Sequence, residues 1–145
     1  MEKSEVTNFI LHTNKIKAFI GDELSDTEYA VPHERWVKDI FTSNFRSFLW
    51  DNKLYYSEED NDCEDFVHYG ITVGRLLYYK TPSKLKNRGL AIGSLSYLYQ
   101  LESHQVLMFI VHDDTKQLKL IFYEAQSATP VEVNLPDVLV WDWSL

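Results

Sequence analysis

Residues 104–126 read HQVLMFIVHDDTKQLKLIFYEAQ, and the fold is decided there. An apolar run, Val106 to Val111, is followed by the polar Asp113–Gln117 and then by Leu118 to Gln126. The polar interval has hairpin length, so the stretch predicts two antiparallel strands. With the turn centred on Thr115, His104 faces Gln126 and Val106 faces Glu124. Side chains alternate along a strand, so the even-numbered residues of both strands share a face. His104, Glu124 and Gln126 become neighbours, directly or diagonally. A slip of two residues would exchange Glu124 and Gln126, and a slip of one would break the arrangement.

Further strands are predicted on both sides of the hairpin, over Leu90–Leu101, Pro130–Val133 and Val138–Trp143. The first part of the chain has helical spacing instead. Val6, Phe9, Ile10, Ile16 and Phe19 predict a helix from Ser4 to about Phe19, stopped by Gly21-Asp22. Val37, Phe41, Phe45 and Phe48 predict a second, from near His33 to the turn pair Asp51-Asn52. A third runs from Cys63 to Tyr79, which Pro82 cannot continue. Helices first and strands after predict an α+β fold, with the helices packed on a C-terminal antiparallel sheet. The whole chain, residues 1–145, reads as one domain: a helical part over 1–60, then the Cys63 helix and sheet over 61–145.

Cys63 is the only cysteine. Asp62 is a plausible N-cap and Asp65 stands at the capping-box spacing, which puts Cys63 in the first helical turn. There the unpaired N–H groups and the helix dipole favour a thiolate. The acidic run Glu58-Glu59-Asp60 and the neighbours Glu64 and Asp65 oppose it, so a nearby imidazolium would have to outweigh them. Cys63, Val67, Gly70 and Gly74 form one stripe. Glycine costs a helix about 1 kcal/mol relative to alanine, which close packing against a sheet would offset. The stripe therefore predicts Cys63 turned towards the sheet.

The net charge of −8 and the absence of a Lys/Arg cluster argue against nucleic acid. One cysteine allows no internal disulfide and no thiolate-rich zinc site. No apolar run approaches a membrane span, and no signal pattern opens the chain. The expectation is a cytosolic protein, or one in a host cytosol if phage-encoded, with no cofactor and no metal. The acidic stretch Glu58–Asp65 lacks the spacing and central glycine of a calcium loop.

Asp62-Cys63-Glu64-Asp65-Phe66 resembles the D-C-[DE]-D-[FY] segment of papain-like and transglutaminase-like cysteine enzymes. In these a cysteine opens a helix, a histidine starts a strand, and Asp, Asn or Glu follows on the next strand. The order Cys63, His104, Glu124 matches. Ala91-Ile92-Gly93 and Leu120–Gln126 are similar to segments of small uncharacterised bacterial and phage proteins. The sequence departs from the pattern where Ser103 and Gln105 flank His104 and where Ala125 replaces a common proline. The resemblance implies a papain-like core and a cysteine hydrolase or acyltransferase acting on an amide or thioester of a protein or peptide substrate. Cys63 would attack, His104 would move the proton, and Glu124 or Gln126 would orient the imidazole. The Cys63 N–H, with the Asn61 side chain as helper, would serve the oxyanion. The competing expectation is a non-catalytic protein on the same scaffold that binds or inhibits a partner protein. His12 and His33 read as surface residues, and His68, five residues from Cys63 on the helix, as pointing elsewhere. His112 lies eight residues from His104, roughly 26 Å at strand rise, and reads with Asp113 as part of the turn.

Overall fold

The computed structural model describes residues 1–9, 22–23, 28–57, 62–81, 88–135 and 138–145. The run Val106–Val111 forms the middle of strand β5 (Glu102–His112) and is buried throughout. Val106, Met108 and Ile110 enter one hydrophobic cluster, and Leu107, Phe109 and Val111 enter another. Neither face of this strand meets water, so both must be apolar, and the sequence runs without polar interruption.

Strand β5 lies between β4 (Ile92–Tyr99) and β6 (Leu118–Glu124), antiparallel to both. Strands β7 (Thr129–Val131) and β8 (Leu139–Ser144) extend the sheet on either side. A two-residue β1 (Asp22–Glu23) adds parallel to β8, giving the order β1-β8-β4-β5-β6-β7. Strands β2 (Tyr29–Ala30) and β3 (Gly89–Leu90) make a separate parallel pair.

The hairpin register agrees with the sequence: Leu107 pairs with Tyr123 and Val111 with Lys119. Asp113 organises the turn, its Oδ1 accepting from the N–H groups of Thr115 (2.8 Å) and Gln117 (3.0 Å). The β4–β5 turn is tighter. Tyr99 pairs with Glu102, and Gln100 (φ 50) and Leu101 (φ 72) are both left-handed, the geometry of a type I′ hairpin.

Helix α3 (Cys63–Lys80) lies on the Leu107 face. Asp62 Oδ1 accepts from the Glu64 N–H (2.9 Å), and the Asp65 carboxylate accepts from the Asp62 N–H (3.3 Å). The glycine stripe meets the sheet as its spacing predicts. A Cβ on Gly70 would lie 2.4 Å from a Leu107 methyl, and one on Gly74 would lie 2.6 Å from an Ile92 methyl. The second expected helix arrives in two pieces. A π-helical turn, Trp36–Phe41, runs into α2 (Thr42–Asp51). At their junction the Thr42 N–H and hydroxyl both donate to the Val37 carbonyl, the hydroxyl at 2.9 Å, an i to i+5 closure.

The other face of the sheet is also covered, which the sequence reading did not anticipate. Val6 and Phe9 at helix α1 (Lys3–Asn8), Tyr29 and Leu145 pack there against Val106, Met108 and Val140. Of the helix expected over Ser4–Phe19, the part after residue 9 lies outside the described residues. The region 1–60, expected to be helical, also supplies strands β1 and β2. The architecture is α+β: a mainly antiparallel sheet between a helical layer and a second layer of mixed structure.

Candidate functional site

The sheet brings His104 and Glu124 together. They stand on successive strands in the register above, and His104 Nε2 lies 2.7 Å from Glu124 Oε2. The pair is partly open, with side-chain exposures of 33% and 25%. The Tyr97 ring, on the paired residue of β4, meets the His104 ring edge-on at 5.8 Å. The hydrogen bond to Glu124 raises the His104 pKa above the ordinary imidazole range, against an opposing effect of burial. Burial alone would raise the Glu124 carboxyl. The His104 bond and charge, with the amides of Gln126 and Ala125, outweigh it and leave that pKa lowered. Both shifts favour the ionised forms, imidazolium and carboxylate. Gln126 takes part through its backbone, its N–H donating to Glu124 Oε1 at 3.4 Å. The residue bonded to His104 is therefore Glu124.

The pair makes a pH-dependent contribution to stability. His104 has a raised pKa, so its share is full below the unfolded imidazole value and is lost as pH rises through the folded one. Glu124 has a lowered pKa, so its share is present above the unfolded carboxyl value and is lost as pH falls through the folded one. Glu124→Gln is expected to cost most near pH 5.5, at about 1 kcal/mol or less for a pair this exposed, and less at pH 8.5. Urea unfolding of both proteins at the two pH values measures it. An equal loss at both would show that the pair is not ionised as described.

Cys63 is half-buried at the start of α3. Burial raises its pKa, the amides of Gln105 and of Cys63 itself lower it, and Asp62 and Glu124 raise it again. The net shift is upward, so at neutral pH the group is a thiol. The carboxylates that oppose ionisation are thus Asp62 and Glu124, not the Glu64 and Asp65 expected from the sequence, and residues 58–60 lie outside the described residues. Among the described residues no hydrogen bond joins Cys63 to His104, and the amide that favours its ionised form is that of Gln105, one residue further on. Asp62 and Asp65 are occupied in the capping box. Asn61 lies outside the described residues.

A second polar cluster was missed. His33, read as a lone surface residue, lies 3.1 Å from Asp114 through Nε2, and its Nδ1 accepts from the Arg35 N–H at 3.1 Å. Its ring meets that of His112 edge-on at 5.0 Å, and Arg35 pairs with Asp114 at 2.6 Å. The partners are about 80 positions away, |i−j| 81 and 79, which no local spacing reveals. His68 is exposed.

This arrangement defines an α+β domain with a hydrogen-bonded His–Glu pair beside a protonated thiol. No family model matches the chain, and no curated protein matches it. Solved structures do. A complex of the lectin PSL1a with E64 matches with a TM-score of 0.75 at 18% identity, over 100% of this chain and 50% of that one. The Polyporus squamosus lectin bound to the human-type influenza-binding epitope Neu5Acα2-6Galβ1-4GlcNAc matches with a TM-score of 0.71 at 18% identity, over 98% of this chain and 48% of that one. The likeness is one of fold, and the chain spans about half the length of these lectins.

These neighbours correct the reading of the sequence. Both are lectins, and neither bears the name of a cysteine enzyme, so the papain-like and transglutaminase-like assignment is withdrawn. With it goes the expected cysteine hydrolase or acyltransferase with Cys63 as thiol nucleophile and a peptide as its substrate. The physical reason lies in the motif itself. In Asp62-Cys63-Glu64-Asp65-Phe66 the two aspartates close a capping box and Phe66 is fully buried. The string resembles a helix start because it is one, whatever chemistry stands beside it.

Proposed function

We propose that the chain is a non-catalytic binding domain, with the surface around His104, Glu124 and Cys63 facing its ligand. The observation that carries this reading is the match of 100% and 98% of the chain to about half of the chain in each of two lectin structures. The site chemistry agrees with it. The thiol is protonated, and one His104 nitrogen is already engaged by Glu124. A half-open imidazolium–carboxylate pair supplies both a donor and an acceptor for a polar ligand. Away from the pair, Trp50 in the last turn of α2 and Tyr55 and Tyr56 after it are 76%, 65% and 52% exposed, flat faces of the kind enriched in binding surfaces.

Titration of the chain by calorimetry with the sialylated trisaccharide and with basic proteins tests binding. Cys63→Ala is expected to retain whatever affinity the unaltered chain has. Thiol chemistry supplies the decisive measurement. Native Cys63 is expected to alkylate with iodoacetamide at pH 7 no faster than in denatured protein, and to gain no mass on incubation with E64. An E64 adduct at Cys63 that His104→Ala abolishes would overturn the binding reading.

A further inference from the structure

A cavity of about 720 Å³ lies on the opposite side of β6 from β5. Four consecutive residues of that strand, Leu120 to Tyr123, line it. Consecutive residues point to opposite faces, so a cavity that touches four in a row reaches both sides of the strand, and it meets the strand's free edge at Leu120 and Ile121. The register explains the groove. Strand β5 pairs with β6 from Leu118 to Tyr123, whereas β7 pairs with it only from Phe122 to Glu124. Among the described residues, Leu118 to Ile121 therefore have no strand on their outer side. The chain leaves β7 after Val131, and Glu132, Val133 and Asn134 form the far wall.

Such an edge presents backbone N–H and C=O groups at strand spacing, which another peptide backbone complements. Leu120 and Ile121 are the open positions that line the cavity, and the open edge runs on beyond it through Leu118 and Lys119, about 13 Å in all. The two faces of the groove differ. Leu120, Phe122, Val131 and Val133 belong to one hydrophobic cluster and make an apolar wall. Ile121 belongs to the other cluster, and Glu34, Lys38 and Glu132 supply the charged part of the lining. Glu34 is paired with Lys38 and Lys119, while Glu132, exposed, has no ion pair among the described residues. Strand β7 protects itself from pairing by its shortness and by Pro130, which lacks an N–H. The open part of β6 has no such block on its backbone.

We infer that the open edge of β6 is a docking groove for an extended segment of a partner protein, added as a strand, with apolar side chains on the Leu120 face and a lysine or arginine facing Glu132. The net charge of −8 favours the approach of such a basic segment. The inference goes beyond the binding reading above and uses a different surface.

The test uses the full chain, isotope-labelled, and a capped pentapeptide of alternating valine and lysine. Saturable amide shifts are expected at Leu118–Ile121 and Glu132–Asn134, and not at His104 or Cys63. Methylating the peptide nitrogens that face β6 keeps its side chains and is expected to weaken binding at least about tenfold. A valine–glutamate peptide is expected to bind more weakly, and Glu132→Lys to reverse that preference. Equal binding of the methylated peptide, shifts elsewhere or no shifts would overturn the inference. Shifts of the same amides with protein concentration alone, without peptide, would assign the edge to a second copy and overturn it too. Trisaccharide binding is read at the amides around His104 and Cys63 and peptide binding at those of Leu118–Ile121 and Glu132–Asn134, so failure of the ligand-site reading and failure of this one are distinguishable.

Discussion

Phe41→Ala is expected to lower stability by about 3–5 kcal/mol, as large-to-small changes at buried aromatics do. Phe41 is fully buried where the π-helical turn meets α2. Its ring stacks on Phe45 at 5.4 Å and meets Phe109 at 4.8 Å and Tyr123 at 6.0 Å edge-on. One side chain thus ties the helical layer to both strands of the central hairpin. Removing it opens a cavity whose walls belong to different elements and cannot collapse together. Each lost ring pair adds to the burial term. A domain of ordinary stability has 5–15 kcal/mol in all, so a large share would go. The denaturant midpoint should fall with the slope unchanged. A loss below about 1 kcal/mol would show that this junction is not packed as described.

Gly93→Ala is expected to be as damaging for a different reason. The new Cβ would lie 1.7 Å from the Ser144 carbonyl oxygen, 2.6 Å from its carbon and 2.8 Å from the Leu145 Cα. These are backbone atoms, and no rotamer change relieves the overlap. The end of β8 would have to leave β4. It would take with it the Ser94–Ser144 hydroxyl bond (2.9 Å) and the bond from the Tyr29 hydroxyl to the Leu145 carbonyl (3.3 Å). The expected cost is about 3 kcal/mol or more, the upper end for overpacking. Amides of Leu139–Ser144 should lose exchange protection before those of β5. A melting temperature within roughly 2 °C of the unaltered protein would refute the close approach. Gly70→Ala makes a useful contrast. Its Cβ meets a Leu107 methyl, which can shift, and the helix gains propensity, so the net loss should be smaller.

What was legible in the sequence was what local chemistry fixes. Asp113–Gln117 announced a turn, and alternation around it gave the register that places His104 beside Glu124. Asp62 and Asp65 marked the start of α3, and Gly70 and Gly74 its sheet-facing side. Less legible was whatever depends on distant partners. The second covered face of the sheet is built by residues from both ends of the chain, Val6 and Leu145 among them. The Gln100–Leu101 turn carries no Gly, Asn or Asp, so its left-handed backbone left no signal, and Leu101 takes it while 98% exposed. The π-helical turn has the same residue types as an α-helix. The misreading at Cys63 had its own cause. Capping and core packing select the same letters that a nucleophile's helix would.

The bond between Tyr29 and Leu145 joins residues 116 positions apart. In the order of folding, this closure stands at the far end. Strands β4, β5 and β6 follow one another through turns of a few residues, so their pairing closes small loops at little entropic cost. Joining Tyr29 to Leu145 closes nearly the whole chain and is rewarded only once the sheet between them exists. The meander therefore serves as the template, and the layer made from the two ends of the chain is the last to settle on it.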